Sequence, residues 1–468
     1  MSTRYKGSVI SSTAAASSST AAYGVWKQSE VAQLINSAWP NNDPYWTSVS
    51  MLLHGDGTSG SQNNTFIDSS SNNFTVTRNG TTTQGTYNPF GSIAPYTTAV
   101  DGGSAYFGGT PDSLSAPANA VYQFGTGDFT IECWVNKPAA QSGTIIDARV
   151  SQTAVPWFFG IDASNFPYFY DGTTYTSTVA ITNNVWNHVA VVRTSGTLKI
   201  FVGGVQGYSA ALSASQNATG TAKIGGTATY TIGYISNLRI VKGTAVYTTA
   251  FTPPTAPLTA ISGTSLLLGF TNAGIFDNAM QNNLVTVGTS QISTSVLKYG
   301  TGSMVFSGSG AWLTTIDKTS LQLNSGDFTI EGWVHVNAIG TAYAIVSKGA
   351  ASTGWSVNIT SGNKLQFSYT ATALVGATSL VEDTWYYFAV VRSGSGTGNL
   401  KIYLNGTADA TSGGAVTDNF NQTNILYVGA SRTGTTPLNG YIDDLRITKG
   451  IARYTANFTA PQQEFPNQ

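Results

Sequence analysis

The chain has 468 residues, of which 41% are hydrophobic and only 9% charged, with a formal net charge of −1. That length exceeds one ordinary core and predicts two or three domains. A near-neutral chain carries no basic field for nucleic acid and no polybasic patch for a membrane, and its 51 Gly among abundant Ser, Thr and Asn predict short strands joined by polar turns.

The opening residues have no apolar secretory core, and no run of roughly 18 apolar residues predicts a membrane span. Synthesis in the cytoplasm, without membrane insertion, is the expectation. Ser11 to Ala22 is almost entirely Ser, Thr and Ala, too poor in apolar bulk for a core. Then KQSEVAQLINSAWP (27–40) carries Val31, Leu34, Ile35 and Ala38 at helical spacing, with Ser29 placed to cap it and Pro40 to stop it. So short a helix is marginal alone. Residues 1–46 are therefore expected to be an anchor that docks on other proteins.

The rest of the chain is written twice. GDFTIECWV (127–135) returns as GDFTIEGWV (326–334), an offset of 199. WNHVAVVR (186–193) returns as WYYFAVVR (385–392), and LKIFVGG (198–204) as LKIYLNG (400–406). ISNLRIVKGTAVYTTAFTPP (235–254) returns as IDDLRITKGIARYTANFTAP (442–461). A repeat of this length is a domain, and slowly growing offsets are loop insertions between fixed strands. The Pro-rich TPPTAPLTA (252–260) places the boundary, giving predicted sandwiches at 47–256 and 257–468.

The repeated motifs alternate with period two. Phe129, Ile131, Cys133 and Val135 share one face of a strand; Glu132 and Trp134 share the other, as do Glu331 and Trp333. Cys133, the single cysteine, reads as a small buried hydrophobe, and no intrachain disulfide is possible. An all-β fold of two tandem antiparallel sandwiches follows. Each Glu needs a partner if buried, for which Arg193 and Arg392 are candidates. Each Trp is expected to fill a covered face and each Glu to tie down a crossing loop.

The ordered set DFTIEGWV, WYYFAVVR, LKIYLNG and LRITKGIARYT, present twice, resembles the laminin G-like, concanavalin A-like jelly rolls. The similarity is greatest to those of bacteriophage virion proteins, and covers residues 48–255 and 264–461. The N-terminal YKGSVIS and GVWKQSEVAQLINSAWP are also similar to the start of phage structural proteins that carry such domains. The resemblance implies a tail-fibre or appendage-type protein of the virion. Its expected partners are other virion proteins, further copies of itself and host cell-surface carbohydrate. A capsid decoration or tail spacer without a ligand is the alternative.

Chemistry is sparse. Glycosidases need two carboxyl groups about 5–10 Å apart, and the E-x-D-x-x-E strand of glucanases with this architecture does not occur. His54, His188 and His335 lie far apart and form no zinc motif. A polysaccharide-acting enzyme is thus disfavoured, and no enzymatic activity is expected. The resemblance raises calcium, held by Asp and Asn oxygens at loop rims. FIDSSSNN offers Asp68, Asn72 and Asn73, and IFDNAMQNN offers Asp277, Asn282 and Asn283; Asx turns compete for the same residues. Tyr168, Tyr170, Tyr175 and Trp355, read as loop aromatics, are the candidates for stacking on a sugar.

Overall fold

A computed structural model describes residues 43–90, 100–151, 157–275, 282–350, 353–370 and 372–466. The predicted anchor helix (27–40) and Asp277 lie outside these residues. The described residues hold strands and three short 3-10 turns, with no α-helix. None of their helices is long and apolar enough to cross a membrane.

Two β-sandwiches account for the strands. In the first, one sheet runs in the order 205–211, 197–202, 187–194, 129–136, 232–242, 104–108 and 83–85. Its partner sheet runs 174–176, 167–170, 158–161, 143–147, 222–224, 113–116, 75–79 and 66–67. The second sandwich repeats this plan, with Phe328–Val336 between Trp385–Arg392 and Asn439–Lys449. Every ladder is antiparallel, as the period-two alternation requires. Phe129, Ile131, Cys133 and Val135 face one core; Phe328, Ile330 and Val334 face the other.

The predicted division at 256/257 is not where the sheets divide. Thr264–Leu268 pairs with Ile232–Lys242 and puts Leu266 and Leu268 into the first core. Val49–Leu53, which precedes the first sandwich in sequence, pairs with Asn439–Lys449 and puts Met51 and Leu53 into the second core. Two near-identical strands, SMLL and SLLL, thus complete opposite sandwiches. The reason is hydrophobic: each is buried on both faces, so either must find a sheet with a vacant edge. Asn63 fastens the crossing connectors. Its amide donates to Leu284 O (2.8 Å) and Ile275 O (2.5 Å), and its carbonyl accepts from Ile275 N (2.8 Å).

The long closing strand of each sandwich carries a bulge. Asn237 (φ 51°) and Asp444 (φ 50°) occupy matching left-handed positions where the register shifts against the central strand. Past the bulge, Arg239 lies across the ladder from Glu132, and Arg446 from Glu331.

Candidate functional site

Register explains the two repeated carboxylates. Glu132 accepts from Arg239 (2.9 and 2.6 Å), Tyr247 (2.7 Å) and His188 (3.2 Å). Glu331 accepts from Arg446 (2.9 Å), Tyr454 (2.8 Å) and Tyr387. Tyr247 and Tyr454 belong to the segments that cross the sheet after each LRI strand, and each stacks on the next phenylalanine at 3.7 and 3.6 Å. Both Glu therefore tie down a crossing loop. Arg193 and Arg392 are not their partners, because each strand places its guanidinium at the sheet end, on the carbonyls of Leu212 or of Gly326 and Asp418. Trp333 is covered by the Lys298 ammonium (4.1 Å) and the Tyr299 ring (5.7 Å).

The Glu132 cluster makes acid stability testable. Burial pushes this carboxyl up, but the His188 hydrogen bond and the Arg239 charge outweigh it and hold the group below its ordinary value. A depressed folded-state pKa contributes stability that is present above pH 4.5 and lost as pH falls through the folded value. Melting temperature should therefore drop more steeply below pH 4.5 in the native chain than in Glu132→Gln. Parallel curves would remove this account of the cluster.

Three of the described calcium candidates, Asp68, Asn72 and Asn282, are engaged otherwise. Asp68 accepts from Ser70 N (2.9 Å), Ser70 Oγ (2.8 Å), Phe74 N (3.0 Å) and Leu267 N (3.0 Å). It closes an Asx turn and clamps the exchanged strand, and an ion would have to displace those donors. Asn72 donates to Ser265 O (2.9 Å), and Asn73 takes the left-handed turn position (φ 47°). Asn282 donates to Ser50 O (2.9 Å) on the other exchanged strand; Asn283 is buried against Gly85. Asp68, Asn72 and Asn282 thus act as ties between strands, whereas the buried side-chain amide of Asn283 makes no hydrogen bond among the described residues. A shallow cleft of about 430 Å³ beside Asn72 is lined by Lys242, Ser262 and Ser265 among others.

The aromatic candidates separate cleanly. Trp355 starts the strand Trp355–Ile359 and is fully buried in the second core, so it offers no face to a ligand. Tyr175 packs against the first core beside Phe169. Tyr168 and Tyr170 are not in a loop. They lie on the strand Pro167–Tyr170, alternating with Pro167 and Phe169, and point to the outer face half-buried.

On that face, cross-strand register builds a row Thr174–Tyr170–Phe158–Asp147–Lys223, flanked by Thr176 and Tyr168. Phe158 and Tyr168 rings lie 5.3 Å apart. Arg149 reaches over Phe158 (4.9 Å) and Tyr170 (5.5 Å), while its fork is held by Asp147 (2.9 and 2.8 Å). That hydrogen bond with Asp147 keeps the guanidinium firmly charged. Gly160, beside Tyr168, has no room for a Cβ against the Phe158 ring. Phe158, Asp147 and Arg149 were not among the residues singled out in the sequence; the alternation of Phe158 with the inward Phe159 is a signal for Phe158, whereas Asp147 and Arg149 reach it only through strand pairing.

The second sandwich lacks this platform. Its matching rows read Ala373–Ser368–Ser356–Ser347 and Val375–Gln366–Asn358. Ser356, Gln366 and Ser368 stand where Phe158, Tyr168 and Tyr170 stand in the first.

The family model of the concanavalin A-like lectin/glucanases superfamily matches residues 107–246 and 307–452, more than half the chain. No curated protein sequence matches. Among solved structures, a putative carbohydrate binding protein from Bacteroides ovatus aligns at 17% identity with a TM-score of 0.29. That alignment spans 40% of this chain and 57% of that one, little over half its length. Domains LG4-5 of the mouse laminin alpha1 chain align at 13% identity and TM-score 0.29, over 79% of this chain and 96% of that one. Domain 4 of AbnA, an extracellular arabinanase from Geobacillus stearothermophilus in complex with arabinotriose, aligns at 14% identity and TM-score 0.30 over 38% and 87%. These likenesses add nothing to the two matched segments. On those segments and its paired sandwiches, the chain belongs to the concanavalin A-like lectin/glucanases superfamily, whose domain it carries twice.

Proposed function

We propose that this chain is a carbohydrate-binding protein without catalytic activity, and that the outer face of its first sandwich is the sugar platform. The observation that carries the reading is the half-buried pair Tyr168 and Tyr170 with Arg149 beside them, laid over the buried Phe158 and Asp147. Pyranose rings present C–H faces to aromatic rings, and their hydroxyls are read by charged and hydroxyl side chains held in place. Arg149, Thr174 and Thr176 supply the second element within one face, with the buried Asp147 holding Arg149 in place. The within-chain contrast supports it: residues that served only the fold would recur at Ser356, Gln366 and Ser368.

The motif resemblance supports placing the protein on a virion, as an appendage that adsorbs to host surface glycans with its N-terminal segment joined to other virion proteins. Weak sites multiplied over an oligomer would then gain by avidity. The full chain, displayed on a glycan array, is expected to retain a set of related oligosaccharides and to release no reducing ends from them. Failure to retain any glycan at high surface density would favour a spacer or decoration role instead.

A further inference from the structure

The first sandwich also serves as a control for a cluster in the second. Where the exchanged strand Val49–Leu53 ends, His54 is buried with its Nδ1 2.5 Å from Asp444 Oδ1 and 3.3 Å from Glu464 Oε1. Asp444 sits at the strand bulge, and Glu464 on the tail that returns over the sheet. The three ligand atoms lie within 4.8 Å of one another. Asp56 hydrogen-bonds Glu464, and Asp443 adjoins Asp444.

In the first sandwich the equivalent places are held by Gly269, Asn237, Pro257 and Ser236. The mechanical task there is the same and needs no charge. Asn237 Oδ1 accepts from Leu258 N (2.7 Å), as Asp444 Oδ2 accepts from Phe465 N (3.1 Å). The bulge and tail tie thus form with a neutral residue that favours the left-handed conformation. The imidazole and the carboxylates of the second copy are surplus to the fold.

They are also costly. Asp56, Asp444 and Glu464 converge on a single histidine, with Asp443 beside them on the backbone N–H groups of Lys298 and Tyr299, while nearby Arg446 and Arg453 are committed to Glu331 and Asp43. Buried carboxylates in excess of their cations are stable when they coordinate a metal.

We propose that His54, Asp444 and Glu464 form a site for a first-row divalent cation, Zn²⁺ or Mn²⁺, which bolts the exchanged strand, the bulge and the returning tail together. One imidazole nitrogen with two carboxylates suits those ions, whereas Ca²⁺ takes oxygen ligands. Bonds of about 2.0–2.2 Å set ligand atoms about 3 Å or more apart. The His54–Glu464 spacing of 3.3 Å meets that, and His54 and Asp444 would part by about half an ångström. Glu464 also lines a surface cleft of about 620 Å³, which gives the ion an entry path. His188 and His335 are buried elsewhere in the sheets, so neither offers a competing surface site.

The test uses the full chain, stripped with a chelator and titrated calorimetrically with Zn²⁺, Mn²⁺ and Ca²⁺ alone. One equivalent of Zn²⁺ or Mn²⁺ should bind and raise the melting temperature. Asp444→Asn and His54→Gly restore first-copy residues and should fold, yet each should weaken binding more than about 100-fold, beyond the 10–100-fold typical of outer-shell partners. No stoichiometric binding of either ion, or equal binding by both variants, would overturn the site. Binding of Ca²⁺ alone, undiminished in His54→Gly, would overturn the choice of ion.

Discussion

A fragment spanning 60–275 should fold as an independent sandwich, and the same fragment ended at 256 should not. The shorter piece lacks Thr264–Leu268, the strand that pairs with the second half of Ile232–Lys242. It loses Leu266, Leu267, Leu268 and Phe270, all buried. At about 1.5–3 kcal/mol for each large apolar side chain, the loss is about 6–12 kcal/mol. That is the size of a whole domain's stability, about 5–15 kcal/mol. Asp68 would lose its Leu267 partner as well. Starting at 60 also removes Val49–Leu53, whose similar sequence would otherwise be free to take the vacant place. Thermal melts of both fragments check this, and similar cooperative melts would show that the exchanged strand is dispensable.

Replacing Trp355 with alanine should cost about 3–5 kcal/mol, the usual result of truncating a buried large aromatic. For a sandwich of this size that lowers the melting temperature by about 6–20 °C. The ring is fully buried and stacks beside Phe367 at 6.4 Å. Sugar binding by the folded variant should be unchanged. Trp157 fills the matching place in the first core, and its indole N–H donates to Tyr122 O (3.0 Å). A Trp355→Ala chain that keeps its melting temperature but loses glycan would return this residue to the binding face.

How legible these features were in the sequence depended on whether the signal was local. The alternation of Phe129, Ile131, Cys133 and Val135 states a strand and its inward face, and the structure agrees. Trp355 alternates equally well with Val357 and Ile359, but the Gly- and Ser-rich run before it reads as a loop. Tyr168 and Tyr170 were found for their ring type; their strand was missed because Asp, Gly and Pro surround it. The partner of Glu132 could not be read, since Arg239 comes opposite only through a ladder that skips two residues at the bulge. Nor could the strand exchange. Val49–Leu53 and Thr264–Leu268 carry the same pattern, and a pattern states a face without stating a sheet. The His54, Asp444 and Glu464 cluster depends on that exchange, which brings together residues some four hundred positions apart.

The platform is the claim on which the functional account stands, and titration of the best array ligand into four full-length chains tests it most directly. The chains are the native protein, Tyr168→Ala, Tyr170→Ala and Ser368→Ala, the last altering the matching place in the second sandwich. Each tyrosine variant should bind about tenfold more weakly, equivalent to about 1.4 kcal/mol, while melting near the native temperature. Ser368→Ala should bind as the native chain does. Native affinity in both tyrosine variants, or a loss confined to Ser368→Ala, would contradict the account and move the sugar off the first sandwich.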